Sequence, residues 1–348
     1  MQMNATRDLA VWATSFILSL AQWRHVVLFF GNSFQYIVQA EQGILNGYPH
    51  WRLVQSRVLG PWIEKLLSLL FGFDLSIAHM IVAITVLTLC GLVMFYAGRA
   101  IAGRQSGWSA LLAFHVLFAL MMVRPWLYIY DYFVLLTAAV FMLLMIRGAP
   151  WWSFLLLMSV AFLNHDSALA IGVWMVVKAL VDSWAESRRP DWGMFGGGVL
   201  GSFGGVLLVE YMRRILLKGE TGAQFINNQT YPLEPYYFFV KLPGNLRMLY
   251  RSIIHPYSED LEIVIWVPLV LAIALAVVLI VRQGAKGVPL ASYALSHIAA
   301  LLLFAVISET RALLQLVPFL CLAGILAAKP YWNAASGVKY EHIIGVRP

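Results

Sequence analysis

The sequence predicts an all-α, polytopic membrane protein, and three observations carry that prediction. Of 348 residues, 61% are hydrophobic and only 12% are charged, with a mean hydropathy of +0.77, far above soluble domains. Apolar runs of roughly 17–25 residues recur along the chain, the length needed to cross ~30 Å of hydrocarbon. Lys and Arg gather on every second short connection, the pattern of a chain threaded back and forth through a bilayer.

The same composition sets aside other classes. The net charge of +7 is spread over short loops with no basic run, so it reads as membrane orientation and not as nucleic-acid binding. Cys90 and Cys321 both fall inside apolar runs, where packing is the expected role and no redox compartment is implied. The first apolar run lacks a small-residue cleavage site, so it is expected to remain as a membrane span.

Taken in order, the expected spans are 9–30, 75–97, 108–123, 132–146, 151–163, 168–181, 194–216, 261–281, 288–307 and 312–328, about ten in all. The apolar piece 58–71 carries Glu64 and Lys65 and is too short to span. It reads as an amphipathic helix lying on the membrane or dipping into it. The whole of 1–348 forms a single integral-membrane domain, with 31–73 as a first outer loop and 218–260 as a long outer loop.

Arg99 and Arg104, Arg147, Arg188 and Arg189, Arg282 and Lys286, and Lys329 and Lys339 all fall on one set of connections. That set is cytoplasmic by charge bias, with both termini cytoplasmic. The alternate connections, 31–73, 124–131, 164–167, 218–260 and 308–311, then face outward and hold most of the stranded acids.

The candidate site is assembled from those outer connections. At 164–167 the run Asn164, His165, Asp166, Ser167 interrupts two apolar stretches. A charge at bilayer depth costs roughly 2.5–3.5 kcal/mol on insertion scales, so either the turn merely reaches water or it does chemistry. Arg124 ends one span and Asp131 begins the next, which suits a plain ion pair, an anion site, or both. Glu309 and Arg311 repeat the arrangement late in the chain. The first loop offers Gln35, Tyr36, Glu41, Arg52 and Arg57 among aromatics that anchor at interfaces in their own right. Arginine forks suit a lipid phosphate, and a carboxylate beside them suits general-base work on a hydroxyl. Asp166, Glu41 and Asp131 are the candidate catalytic acids. His165, Asn164, Arg57, Arg124, Arg52, Glu309, Arg311, Tyr36 and Gln35 are the candidate substrate-binding residues. No metal-ligand spacing stands out, although a divalent cation bridging Asp166 to Glu41 or Asp131 stays open. The 218–260 loop, with Tyr231, Tyr236, Tyr237 and Lys241, is placed to cover this face.

The residues Gln35-Tyr36-x-x-x-Ala40, Gly47-x-Pro49 and Arg57-x-x-Gly60-Pro61 resemble the first outer loop of bacterial GT-C integral-membrane glycosyltransferases. Asn164-His165-Asp166-Ser167 is similar to an Asn-Arg-Glu-Ser/Thr turn of related bacterial proteins, and Glu309-Thr310-Arg311 with Pro318 resembles their Glu-x-Arg…Pro segment. The resemblance implies an enzyme of the bacterial cytoplasmic membrane. Such an enzyme moves a sugar from a polyprenyl-phosphate donor to a lipid-linked or polymeric glycan at the outer face, in polysaccharide biosynthesis of the cell envelope. One departure stands out: where such enzymes carry an acid just after the first span, this chain has Asn32, Ser33 and Gln35, and Glu41 follows two helical turns later. Two other readings are a lipid-linked glycan transporter or polysaccharide polymerase subunit, and an ion-coupled carrier using Asp131 and Asp166. A carrier is expected to show an internal repeat, and none is visible.

Overall fold

A computed structural model describes residues 5–31, 34–49, 56–122, 127–187, 189–216, 218, 241–254, 263–304 and 310–336. Among these, every regular element is helical. The α-helices are α1 (Ala5–Phe30), α2 (Phe34–Asn46), α3 (Leu59–Phe71), α4 (Leu75–Ala102), α5 (Arg104–Met121), α6 (Ile129–Ile146), α7 (Trp151–Phe162), α8 (Leu169–Glu186), α9 (Trp192–Leu216), α10 (Lys241–Ile254), α11 (Ile263–Gln283), α12 (Val288–Phe304) and α13 (Val317–Ser336).

Among the described residues, seven helical segments are long and apolar enough to cross a membrane. One of them, Ile265–Leu303, is 39 residues long. It folds back on itself, since α11 and α12 pack together across a 3-10 turn at Gly284–Gly287. α7 has 12 residues and rises only ~18 Å at 1.5 Å per residue, well short of the hydrocarbon thickness.

Helix α4 sits inside the bundle, packed by α1, α5, α6 and α13, with Leu87, Cys90 and Met94 fully buried. Lipid tails are as apolar as leucine, so close fit and internal hydrogen bonds hold such helices together. Ser15 on α1 donates from Oγ to Thr88 O on α4 at 2.9 Å. Gln22 donates from Nε2 to His115 O at 2.8 Å, and its Oε1 lies 3.0 Å from His115 Nδ1. These side chains fit because residue 91 is glycine: a Cβ there would lie 2.2 Å from Ser15 Oγ and 2.7 Å from His115 Nε2. A second knot is aromatic. Phe141 of α6 stacks on Tyr293 of α12 at 4.5 Å and meets Trp174 of α8 edge-on at 5.1 Å.

The described parts of 31–73, 124–131 and 164–167 converge at one end of the bundle. The backbone amides of Val58 and Leu59 both donate to Leu163 O, at 3.0 and 3.1 Å. Two amides at the start of α3, which have no partner within a helix, are thus satisfied by the end of α7. Gly60 lets α3 lie against the start of α6, since a Cβ there would come within 2.7 Å of Ile129 Cγ2. α3 is amphipathic in an unusual sense. It exposes Trp62, Leu66, Leu69 and Leu70 and turns Gly60, Pro61 and the acid Glu64 inward.

Three stretches differ from the sequence expectation. In the first outer loop, expected to hold one amphipathic helix at 58–71, residues 34–46 form a further helix, α2, which buries Glu41. Residues 218–260 were read as loop, yet 241–254 form α10. This helix docks on α12 through Asn245, whose Nδ2 donates to Leu302 O at 2.9 Å. Its low overall hydropathy gave no sign of a helix, and the side chains it buries, Asn245 and Ser252, are polar while Leu246, Tyr250 and Ile254 are exposed. The last span was expected as a plain helix from 312, but Thr310–Leu316 is a 3-10 turn and α13 starts at Val317. Pro318 falls in that first turn, where its missing N–H costs nothing.

Candidate functional site

The site is built on the start of α6. The amide of Tyr128 donates to Asp131 Oδ2 at 2.9 Å, and the next amide, Ile129, donates to Glu41 Oε1 at 2.6 Å. Two carboxylates therefore occupy the positive end of one helix dipole, a favourable position for anions. They also divide the site into two clusters.

On the Asp131 side lies a chain of flat groups. The rings of Tyr128 and Tyr130 stack 5.0 Å apart at 13°. Arg311 lies over Tyr128 at 5.0 Å and Arg57 over Tyr130 at 4.7 Å. Such cation–π contacts contribute ~0.5–2 kcal/mol each, and they fix the direction of both guanidinium groups. Arg311 Nη1 also lies 3.9 Å from Asp131 Oδ2.

The turn at 163–168 closes the same cluster. Asn164 is buried and donates from Nδ2 to Tyr130 O at 2.8 Å, tying the turn to α6. Asp166 lies 3.4 Å from Arg213 Nη2 at the end of α9 and 3.0 Å from His165 Nδ1. That nitrogen also lies 3.0 Å from the amide of Ser167, which donates to it. One nitrogen cannot accept from Ser167 and donate to Asp166 at once, so the protonation of His165 selects between them. Burial first, and the nearby Arg57 second, push the His165 imidazole below its ordinary value, opposed by Asp166. The neutral ring that caps Ser167 is the favoured state. Arg57 thus acts on His165, Asp131 and Asp166 together. The side chain of Asp166 is 45% exposed, against 9% for Asp131 and 2% for Glu41, so of the three candidate acids it alone presents its carboxylate openly.

On the Glu41 side lies a cluster the sequence reading did not assemble. His79, in the first turns of α4, places Nδ1 2.9 Å from Glu41 Oε2 and 2.8 Å from Glu64 Oε1. All three residues are buried. Burial, and after it the Glu41 carboxylate, push the Glu64 carboxyl up to about 8. Trp23, Phe34 and Tyr132 pack their rings around the imidazole.

Of the residues singled out in the sequence, Asp131, Arg57, Arg311, Asn164, His165 and Asp166 come together. Glu41 is drawn to the second cluster. Gln35 and Tyr36 are exposed on α2, away from its buried face of Ile37, Ala40, Glu41 and Ile44. Arg52, Arg124, Glu309, Tyr231, Tyr236 and Tyr237 lie outside the described residues. Missed in the sequence were Arg213, which read as the end of an apolar span, and His79, a lone imidazole just inside another. Their only signal was a polar residue close to the end of a span.

Comparison with known proteins gives no match: no family model, no curated protein and no solved structure is similar to this chain.

Proposed function

We propose that the chain is a membrane-embedded glycosyltransferase of GT-C type that takes its sugar from a polyprenyl-phosphate carrier at the outer face of a bacterial cytoplasmic membrane. The observation that carries this reading is the convergence of Arg57, Arg213 and Arg311 with Asp131 and Asp166 at one end of the bundle. Among the described residues, three guanidiniums and two carboxylates gather there. Guanidinium forks match phosphate oxygens in pairs, and the apolar flanks of the bundle suit a polyprenyl tail.

In this reading Arg57 and Arg311 hold the phosphate of the donor. Asp166 takes the proton from an acceptor hydroxyl of a lipid-linked or polymeric glycan. The acceptor oxygen bonds to the anomeric carbon, and the bond from that carbon to the phosphate oxygen breaks. Polyprenyl phosphate leaves with the electron pair, and the proton on Asp166 passes to water. The expected ten crossings require α5, α7, α11 and α12 each to cross, the short α7 through a locally thinned bilayer, and put both termini on the cytoplasmic side.

The test is native mass spectrometry of protein in nanodiscs carrying polyprenyl phosphate. Retention of the lipid by wild type and its loss in Arg57→Ala and Arg311→Ala support the reading; equal retention by all three rejects it. Orientation is checked separately by cysteine labelling. A cysteine at Tyr48, which is exposed, should react with an impermeant reagent added outside intact cells, and one at Gln105 should not. The alternative is an ion-coupled carrier using Asp131 and Asp166. Proton- or sodium-driven solute uptake into proteoliposomes would favour it instead.

A further inference from the structure

We propose that Glu41, Glu64 and His79 form a binding site for a single divalent transition-metal ion, with Zn²⁺ and Mn²⁺ as the fitting ions. The donor atoms are His79 Nδ1, Glu41 Oε2 and Glu64 Oε1, all within 4.8 Å of one another. The imidazole nitrogen lies 2.9 and 2.8 Å from the two oxygens. Ligand atoms bound at ~2.1 Å and at right angles stand roughly 3 Å apart, so these three need little movement to share one ion.

Three further observations point to a cation. Nδ1 can carry one hydrogen, and its hydrogen bond goes to Glu41. Glu64 Oε1 is buried, aimed at the same nitrogen and without a hydrogen-bond partner. The surroundings are dry and aromatic, with Trp23, Phe34 and Tyr132 against the imidazole, and the buried Tyr132 hydroxyl is also without a partner. In such a box the two carboxylates carry full charge only beside a cation, and a divalent ion that displaces the cluster's protons would balance both.

The other oxygen of Glu41 is already engaged. Glu41 Oε1 accepts from the amide of Ile129, which leaves Oε2 directed at the cluster. This is the outer support that orients a metal-binding carboxylate. One imidazole nitrogen and two hard oxygens suit Zn²⁺ or Mn²⁺ better than Cu(I), and the imidazole disfavours Mg²⁺ and Ca²⁺. The ion would clamp α2, α3 and α4 to the start of α6. It does not depend on the proposed transferase chemistry, because none of its ligands belongs to the arginine cluster.

The experiment uses tag-free, full-length protein in detergent, stripped with EDTA and dialysed against ZnCl₂ or MnCl₂. Metal analysis should give one ion per chain, with a higher melting temperature than the stripped protein and no such rise with MgCl₂. Glu64→Gln keeps the shape but loses a ligand charge, and should weaken binding about 10- to 100-fold. Wild type that binds neither ion, or Glu64→Gln that binds as tightly as wild type, overturns the site. If the variant fails to fold, the stripped wild type decides alone, because an unchanged melting temperature with both ions also overturns it.

Discussion

Glu41 and Asp131 accept hydrogen bonds from consecutive amides, Ile129 and Tyr128, at the start of α6. Two of the three acids that the sequence offers as a general base are therefore already employed in holding a helix end. Both are also buried. In the proposed transferase, Asp166 is left as the acid that can meet an acceptor.

Asp166→Asn is expected to lower sugar transfer by about 100-fold or more, in line with general-base contributions, at near-normal yield. Asp131→Asn and Glu41→Gln should instead act through stability, lowering the melting temperature. Transfer measured alongside melting separates the cases. Full activity in Asp166→Asn, or an inactive Glu41→Gln with unchanged melting, moves the base elsewhere.

Arg57 lies over Tyr130 and acts on Asp131, His165 and Asp166. Arg57→Lys keeps the charge but loses the planar fork. It should raise KM for the polyprenyl-phosphate donor about tenfold while changing kcat little. A drop in kcat at constant KM would place Arg57 at the reacting bond rather than at the carrier phosphate.

His165 makes the turn sensitive to acid. Its imidazole is held below the ordinary value of 6.5 by burial and by Arg57, so the folded protein stays neutral there while an unfolded chain takes up a proton. The unfolded state then binds more protons, and stability falls as pH drops through that value. The melting temperature of wild type should decline between about pH 7 and pH 5, with a shallower decline in His165→Gln. Identical slopes would mean that the ring does not titrate in this window.

Asn164 fastens the turn through Tyr130 O. Asn164→Ala leaves a buried carbonyl without its donor, a loss of ~1–3 kcal/mol, read as a lower melting temperature. Gly91→Ala should destabilise by a similar ~1–3 kcal/mol through overpacking against Ser15 and His115. Ser15→Gly combined with Gly91→Ala should recover part of that loss. No recovery would show that the contact with Ser15 is not the cause.

How much of this was legible in the sequence depends on the range of the interaction. Hydropathy and run length are summed over a helix, so composition alone marked a helical membrane protein and located most spans within a few residues. Alternating loop charge also grouped 31–73, 124–131 and 164–167, and the structure brings their described parts to one end. Glu64 shows the limit. A charged residue in a short apolar helix reads as water-facing, yet α3 turns it inward, because only there does it meet His79, fifteen residues on in another helix. α10 was missed for the same reason: Asn245, which docks it, has meaning only against Leu302 of α12. The layering of Arg311, Tyr128, Tyr130 and Arg57, and the meeting of Arg213 with Asp166, join residues far apart in the chain through contacts a few ångströms long. Those contacts depend on how the helices rotate and cross, which packing between neighbours sets and no local pattern records. The sequence by itself determined that the chain is a helical membrane protein with its acids stranded near span ends. The tertiary structure alone decided which acids cap a helix, which one is exposed, and which two share a buried imidazole.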